Sequence, residues 1–157
     1  MDGKKVKDSH ITIISQMTHQ DANLAGNVSG GVILKRIDDT AGIVACRYAN
    51  SNVVTASIDQ VDFYSPVFVG DLLRIIASVN HVGPTSMEIG ARVEADNFMT
   101  GEVRHTASAY LIFVSLDLSG KPIPVPPLIL ETEEEIRRNK QAQMRREIRL
   151  EENKLGI

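Results

Sequence analysis

The chain has 157 residues, a length that favours one domain with a core of ordinary size. Apolar residues make up 43% of the sequence and charged residues 24%, which is typical of a globular protein and excludes a collagen-like, disulfide-rich or disordered chain. The net charge is −3 and the basic residues form no long run, so we expect no nucleic-acid partner.

The cysteine, histidine and hydropathy patterns argue against disulfide-bonded, membrane-spanning and metal-binding proteins. The single cysteine, Cys46, allows no intramolecular disulfide, and within an apolar helix face it is expected to be buried and inert, so a reducing, cytoplasmic compartment fits. No apolar stretch approaches the roughly 18 residues that span a bilayer, and no signal sequence is evident, so no membrane partner is expected. Four histidines lack the spacing of metal ligands: His10, His19, His81 and His105.

The first half of the chain predicts a strand, a loop and a helix. Residues 10–17 are rich in β-branched side chains and predict a strand. Residues 23–31 hold three glycines and two asparagines, which indicates a tight loop. From Gly31 to about Tyr48, apolar residues recur every three or four positions, which predicts a long, mostly buried helix.

The second half predicts a sheet and then a second helix. Four strands are expected over residues 52–63, 71–82, 86–96 and 102–118, arranged as a meander. Four prolines in residues 120–127 indicate an extended segment that ends the core. An antiparallel sheet wrapped around one central helix is an α+β architecture, in outline the hot-dog fold. We expect an N-terminal tail at 1–8, a hot-dog domain at 9–128 and a C-terminal helical extension at 129–157.

The predicted C-terminal helix begins with a capping box. Thr132 and Glu135 have the required spacing, and acidic residues precede basic ones, as the helix dipole favours. Its apolar stripe is thin, so we expect the helix to lie along a surface, either of its own subunit or of another one.

Two adjacent carboxylates on the central helix have different expected surroundings. Helical spacing places Asp38 on the same face as Leu34 and Ala41, where a carboxylate could serve as a base or nucleophile in a cleft. A structural carboxylate, hydrogen-bonded to a neighbouring loop, is the alternative interpretation. Asp39 falls beside Lys35, where an ordinary ion pair suffices.

The glycine pair before this helix suggests an oxyanion hole. Gly30 and Gly31 would leave free backbone N–H groups at the positive end of the helix dipole, although for a glycine pair by itself close packing of helix against sheet is the more ordinary explanation. Ser57 and Ser86 lack the Gly-x-Ser-x-Gly motif of serine hydrolases, so that class is disfavoured.

Residues 21–49, DANLAGNVSGGVILKRIDDTAGIVACRYA, resemble the signature of hot-dog acyl-CoA thioesterases, in particular the brain-type acyl-CoA hydrolase and YciA-like group. The similarity continues through residues 53–71, 82–96 and 109–128, so it covers about the whole chain.

The resemblance implies hydrolysis of fatty acyl-CoA to free acid and coenzyme A, with no metal or organic cofactor, at an active site formed at a dimer interface. It implies a homo-oligomer, at least a dimer and in many relatives a trimer of dimers. Asp38 matches the family's catalytic aspartate and Asn23 its loop asparagine, with Gly30 and Gly31 holding the oxyanion. Ser29 replaces a bulkier residue of many relatives, which could alter acyl-group preference. The expected substrate-binding residues are Val28, Ser29, Thr55, Ser57, Gly83, Thr85 and Ser86.

Two other functions remain open at this point. A hydratase or dehydratase acting on acyl thioesters would need a histidine in the site, and the central helix has none. A non-catalytic acyl-CoA sensor would bind the ligand without hydrolysis and report it through the tail or a partner domain.

Overall fold

The computed structural model describes residues 1–156, so Ile157, the last residue of the expected helical extension, lies outside the described part. The helices are α1 (Gly30–Ala49) and α2 (Glu133–Lys154). The strands are β1 (Lys4–Lys5), β2 (Ile11–Gln16), β3 (Asn52–Phe63), β4 (Leu72–Val82), β5 (Ser86–Asn97), β6 (Glu102–Leu116) and β7 (Leu128–Ile129). The two predicted helices and the five predicted strands agree with these ranges in type and in most of their bounds, whereas the short strands β1 and β7 were not predicted.

The core lies between α1 and one face of a five-stranded antiparallel sheet. Alternate residues of the strands point at α1, which buries its own apolar stripe there, including Ile37, Ala41 and Val44. The Ser29 side chain caps the start of α1, and Asn50 ends the helix in the left-handed conformation, with φ 53°. This arrangement is the expected hot-dog fold.

The strand order differs from the expected meander. The sheet runs β2-β4-β5-β6-β3, so only β4, β5 and β6 pair consecutively. β3 pairs with β6 instead of β4 and becomes an edge strand, with register irregularities after Thr55 and Ile58. The expectation was wrong for β3 because strand propensity identifies strands but does not choose their neighbours.

The segments outside the sheet are tied to the end of α1. β1 pairs in parallel with β7, and Lys4 Nζ donates to the Tyr48 carbonyl at 2.8 Å. The Tyr48 hydroxyl donates to the Pro126 carbonyl at 2.8 Å, and burial raises the pKa of this phenol above its ordinary value. The proline-rich segment therefore runs back across the C-terminal end of α1.

α2 lies on the outer face of the sheet, which we define as the face opposite α1. The predicted capping box forms, since Glu135 N–H donates to Thr132 Oγ1 at 3.1 Å and Thr132 N–H donates to Glu135 Oε2 at 2.8 Å. Ala142 is buried against the sheet, and Arg145 makes a bidentate pair with Glu88. The helix thus packs on its own chain. Across residues 1–156, neither helix combines the length and apolarity needed to cross a bilayer.

Candidate active site

Asp38 lies two turns into α1, on the flank of the helix that faces β3. Thr55 Oγ1 donates a hydrogen bond to Asp38 Oδ1 at 2.8 Å, and both residues are half-buried. The alternating side chains of β3 place Thr55 on the α1 side of the sheet, beside Phe113 of β6. One carboxylate oxygen is therefore fixed by a strand residue, which leaves Oδ2 for a ligand.

Asp39 has the surface role that its spacing predicts. Lys35 Nζ lies 3.0 Å from Asp39 Oδ2, an i, i+4 pair in which both side chains are largely exposed. The two adjacent aspartates therefore differ in burial and partner, since Asp38 is half-buried and hydrogen-bonded to Thr55, whereas Asp39 is exposed and paired with Lys35.

An open cleft of about 640 Å³ extends from Asp38 toward the C-terminal end of α1. Apart from the two aspartates, Cys46, Arg47 and Thr55, its walls are largely apolar, with Gly42 and Ile43 from α1, Val53 from β3 and Phe113 from β6. An ideal Cβ at Gly42 would lie 3.6 Å from Phe113 Cε1, so the absence of a side chain there keeps the cleft wide.

Cys46 lines this cleft and is exposed, so the expectation of a buried thiol was wrong. The next residue along a helix points about 100° away, and therefore Ala45 packs on the sheet while Cys46 faces the open side. The cleft residues Ile43, Arg47 and Phe113 were also missed, because hydrophobic spacing does not reveal which side of a helix lacks a neighbour.

The loop before α1 is folded around Asn23. Its side-chain Oδ1 accepts hydrogen bonds from the N–H groups of Ala25 at 2.9 Å and Asn27 at 3.3 Å, and its own N–H donates to the Asn27 carbonyl at 2.7 Å. Gly26 takes a φ of +89° at the tip of this turn. Within residues 1–156, Asn23 Nδ2 has no hydrogen-bond acceptor, so the exposed amide can donate to a ligand.

The N-terminus of α1 offers one free donor where two were expected. Gly31 N–H donates to Ser29 Oγ at 3.3 Å, so it is engaged by the cap, whereas Gly30 N–H has no acceptor in the described part of the chain. Neither glycine has a positive φ, and an ideal Cβ would meet its nearest atom at 3.7 Å for Gly30 and 3.6 Å for Gly31. Close packing therefore does not require glycine at either position, and the lack of side chains leaves the backbone open.

Asp38 and the N-terminus of its own helix are too far apart to act on one carbonyl group. Eight residues separate Gly30 from Asp38, which corresponds to about 12 Å along the helix axis at the usual rise per residue. Among residues 1–156 of one chain, no hydrogen bond joins Asp38 to Asn23. The structure therefore pairs Asp38 with Thr55 and leaves Asn23 in the loop that precedes Gly30, as two separate half-sites.

The remaining expected binding residues are scattered. The Val28 side chain is buried in the core, and its N–H donates to the Val67 carbonyl at 2.8 Å, so the side chain is turned away from any surface ligand. Ser57 lies two residues after Thr55 on β3, just beyond the first irregularity in the pairing of β3 with β6. The β4–β5 turn carries three expected residues two strands away from β3, about 10 Å across the sheet: Gly83, Thr85 and Ser86.

Phe63 was missed by the sequence analysis and lies beside the N-terminus of α1. Its Cζ is the nearest atom to an ideal Cβ at Gly30, and the ring is 50% exposed. An exposed aromatic ring beside a free N–H group can contact a bound ligand. No group of three or more His, Cys, Asp or Glu side chains is placed to hold a metal ion among residues 1–156.

A sequence profile of the thioesterase superfamily matches residues 25–101, which include the N-terminus of α1, Asp38 and Thr55. The chain is 41% identical to the uncharacterized acyl-CoA thioester hydrolase YkhA of Bacillus subtilis (strain 168), over 130 residues that cover 83% of this chain and 76% of that protein.

Solved structures agree with this relationship. A crystal structure of an apo-hexameric acyl-CoA thioesterase superposes with a TM-score of 0.94 at 41% identity and 98% coverage of both chains. The acyl-CoA hydrolase of Staphylococcus aureus, in complex with butyryl coenzyme A, coenzyme A and coenzyme A disulfide, superposes with a TM-score of 0.91 at 34% identity, covering 98% of this chain and 93% of that one. With these identities over most of each chain and with the same fold, the chain belongs to the thioesterase superfamily, among its hot-dog acyl-CoA hydrolases.

Proposed function

We propose that this acyl-CoA hydrolase cleaves its thioester between two subunits. The N-terminus of α1 of one subunit binds the carbonyl oxygen, and Asp38 of a second subunit acts on the carbonyl carbon. The observation that carries the proposal is the division of the site. A carboxylate fixed by Thr55 faces an open cleft, and the free Gly30 N–H lies about 12 Å away along the same helix.

The oxyanion half-site would stabilise the negative charge that develops on the carbonyl oxygen. Gly30 N–H points out of a helix N-terminus, where the dipole adds partial positive charge. Asn23 Nδ2 donates a second hydrogen bond that orients the carbonyl or a water molecule. Ser29 positions Gly31 by capping the helix and borders the bound thioester.

Asp38 supports two routes to the same products. As a general base it takes a proton from water, and the resulting hydroxide attacks the carbonyl carbon. As a nucleophile it attacks directly and forms a mixed anhydride, which water then cleaves. In both routes the carbon–sulfur bond breaks, the thiolate of coenzyme A leaves and takes up a proton, and the free acid is released.

The Staphylococcus aureus enzyme supports the assignment of the residues. It has also been solved as alanine variants of an asparagine, an aspartate and a threonine that follow one another at intervals of fifteen and seventeen residues. Asn23, Asp38 and Thr55 follow one another at the same two intervals. Thr55 is accordingly proposed as a positioning residue for Asp38, which is a more specific role than the substrate contact expected from the sequence.

The apolar cleft beside Asp38 favours a fatty acyl group as the part of the substrate that binds there. Gly42, Ile43, Val53 and Phe113 supply an apolar wall next to the carboxylate, and burial of hydrocarbon against it contributes roughly 0.8 kcal/mol per CH₂ group. Ser57 and the β4–β5 turn with Gly83, Thr85 and Ser86 remain proposed contacts for the pantetheine part of coenzyme A, supplied within an oligomer.

The proposal includes a homo-oligomer, since a divided site requires at least a dimer. β3 is an edge strand with exposed Val54 and Ile58, a surface suited to pairing with a second copy. The hexameric relative favours a trimer of dimers. We also propose that catalysis needs no metal or organic cofactor and that the protein acts in the cytoplasm, where the single exposed cysteine would stay reduced.

The test is release of free thiol from short and long acyl-CoA esters by the wild type and by two matched variants. Asp38→Asn is expected to lower kcat by at least about a hundredfold, because positioned acid–base groups typically contribute 10²–10⁴. Asp39→Asn makes the same chemical change one residue further along the helix, at the exposed rim of the same cleft where Asp39 pairs with Lys35, and is expected to retain activity within about twofold of the wild type.

Equal activity of the two variants would refute the role of Asp38. If the wild type binds acyl-CoA esters tightly but releases no thiol from any of them, the hydrolase proposal fails and the sensor interpretation replaces it.

A further inference from the structure

Leu24 is fully exposed, at 109% of its reference area, although the loop that carries it is tightly ordered. Gly26 N–H donates to the Asn23 carbonyl at 3.1 Å, so Leu24 is one of the two central residues of a four-residue turn. Ser29 N–H donates to the Asp21 carbonyl at 2.8 Å and closes the base of the loop. An ordered turn therefore holds an apolar side chain in solvent, where it adds nothing to the core of its own chain.

The same loop is attached to the segment that follows β3. Asn27 forms an antiparallel bridge with Phe68, and Val28 N–H donates to the Val67 carbonyl at 2.8 Å. The Val28 side chain is buried in the core, directly before the cap of α1. Because the loop is anchored on both sides, the position of Leu24 is fixed relative to the N-terminus of α1. Any surface that approaches this N-terminus therefore also approaches Leu24.

The cleft beside Asp38 lacks a wall on its open side. It extends along α1 toward the C-terminal end of the helix, and its apolar lining comes from Gly42, Ile43, Val53 and Phe113. Ile43 is 41% exposed, so residues 1–156 leave this stretch of α1 partly uncovered. A hydrocarbon chain bound here would keep one side in water unless another apolar group covered it.

Two-fold symmetry relates the turn of one subunit to the cleft of the other. In the divided site, Gly30 of one subunit lies across the thioester from Asp38 of the partner subunit. A two-fold axis repeats this contact in the reverse direction, so the two α1 helices must run antiparallel past each other. Residues that precede Gly30 then lie opposite residues that follow Asp38. The turn that carries Leu24 consequently falls opposite positions 42–46, the part of α1 that lines the cleft.

We infer that Leu24 of the partner subunit closes the apolar cleft beside Asp38 and limits the length of the acyl group that binds there. The inference rests on the proposed function, because it starts from a site divided between two subunits. Packing of this leucine against the wall formed by Gly42 and Phe113 removes apolar surface of both subunits from water. Neighbouring residues of one turn then act on different parts of the substrate, since Asn23 donates to the reacting group and Leu24 contacts the hydrocarbon.

Two substitutions of Leu24 change the size of this wall in opposite directions. Leu24→Trp should lower the ratio of kcat/KM for dodecanoyl-CoA to that for acetyl-CoA at least about tenfold, because the indole fills space that a long acyl group needs. Leu24→Ala should raise the same ratio at least about threefold, because it vacates that space. Since the side chain is fully exposed in its own chain, neither substitution is expected to impair folding.

Leu118 provides the matched control. It is 100% exposed in the turn after β6 and does not line the cleft, so it represents the single exposed leucines that are ordinary on protein surfaces. Leu118→Trp makes the same chemical change as Leu24→Trp and should leave the ratio within about twofold of the wild type.

Mixed oligomers determine which subunit supplies Leu24 to a working site. In a dimer of an Asn23→Asp chain with an Asp38→Asn chain, the one intact site combines Asn23 of the second chain with Asp38 of the first. Leu24→Trp should therefore lower the ratio when the Asp38→Asn chain carries it. In the Asn23→Asp chain it borders the inactive site, and the ratio should not change.

An unchanged ratio in Leu24→Ala, or an equal shift in Leu118→Trp, would overturn the inference. A shift that follows the Asn23→Asp chain would overturn it as well, because Leu24 would then act within the chain that supplies Asp38. Mixed oligomers without any activity would overturn the divided site itself, and the inference with it. Failure of the inference alone is therefore distinguishable from failure of the proposed function.

Discussion

Adjacent aspartates on α1 have different environments, and this difference begins at the level of single residues. Asp38 is half-buried and receives a hydrogen bond from Thr55, whereas Asp39 lies at the exposed rim of the same cleft and pairs with Lys35. Rotation by 100° per residue around the helix is enough to separate the two roles. Individual side chains around Asp38 should therefore have separable effects on catalysis and on substrate choice.

Replacing Thr55 tests whether it positions Asp38. Thr55→Val keeps the shape of the side chain but removes the hydroxyl that donates to Asp38 Oδ1. Since hydrogen bonds to charged groups contribute about 1.5–3 kcal/mol, kcat should fall roughly 10- to 100-fold, with KM changed much less. Steady-state kinetics of Thr55→Ser, which keeps the hydroxyl, should remain close to the wild type; an equal loss in both variants would show that the hydroxyl is not what matters.

Gly42 should set how long an acyl group the cleft accepts. In Gly42→Val the Cβ makes ordinary contact with Phe113, but its two methyl groups project into the space of the cleft. We expect kcat/KM for long acyl-CoA esters to fall at least about tenfold relative to acetyl-CoA, because one or two carbon atoms in an apolar pocket are worth about 1–3 kcal/mol. Gly42→Ala, which adds only the Cβ, serves as the control. An unchanged ratio in Gly42→Val would place the acyl group elsewhere.

At the scale of elements, α2 is held to the sheet by charged groups more than by apolar contacts. Glu88 is buried beneath the helix and pairs with Arg145, and Arg149 Nη1 donates to Asp59 Oδ2 at 3.1 Å. Buried ion pairs lose much of their stabilisation when one partner is removed or neutralised. The junction between α2 and β4 is therefore the part of the fold where we expect stability to respond to pH.

His81 on β4 should make this junction weaker in acid. Burial first, and then the charges of Arg146 and Arg149, lower the pKa of this imidazole, while Glu88 acts in the opposite direction. A lowered pKa means that the unfolded chain binds the proton more tightly, so stability should decrease as the pH falls below about 6.5, the ordinary histidine value.

Urea unfolding at pH 7.5 and at pH 5.5 checks this expectation. His81→Gln should lose less stability between the two pH values than the wild type does, because it removes a group that binds its proton more tightly in the unfolded chain than in the folded one. His10→Gln, a substitution at an exposed site ahead of β2, is the control and should follow the wild type. Identical losses in His81→Gln and the wild type would contradict the assignment.

At the scale of the whole molecule, the divided site predicts that activity depends on association. Asn23→Asp keeps the oxygen that orders the loop and removes the Nδ2 donor, whereas Asp38→Asn removes the carboxylate. Each variant alone should be inactive. When the two chains are co-expressed and pair at random, half of the dimers are mixed, and each mixed dimer contains one intact site, so about a quarter of the wild-type activity should return.

Thiol-release assays on the mixed oligomers, with native mass spectrometry to verify mixing, measure this recovery. Co-expression of Asp38→Asn with Asp38→Ala should restore nothing, since every site then lacks the carboxylate. Mixed oligomers of the first pair that remain inactive would show that Asn23 and Asp38 act within one chain, contrary to the divided site.

Local patterns in the sequence were sufficient to predict both helices, the five strands of the main sheet and part of the site, but not the short strands β1 and β7. The period of apolar residues located α1, the Thr132–Glu135 spacing located the start of α2, and the charges around Asp39 identified its ion pair. The resemblance across the chain indicated the fold and the acyl-CoA hydrolase family, which the comparisons confirm. These features depend on residues within a few positions of one another or on similarity along the chain.

The tertiary structure decided the features that depend on distant residues. It paired β3 with β6, exposed Cys46 to the cleft, brought Thr55 to Asp38, and placed the arginines of α2 over the outer face of the sheet. It also showed that the Gly31 N–H donates a hydrogen bond to Ser29 Oγ and is therefore not free. Helical periodicity and capping are set by neighbours in sequence, whereas strand order, the open side of a helix and the convergence of charges are set by contacts between residues far apart in the chain.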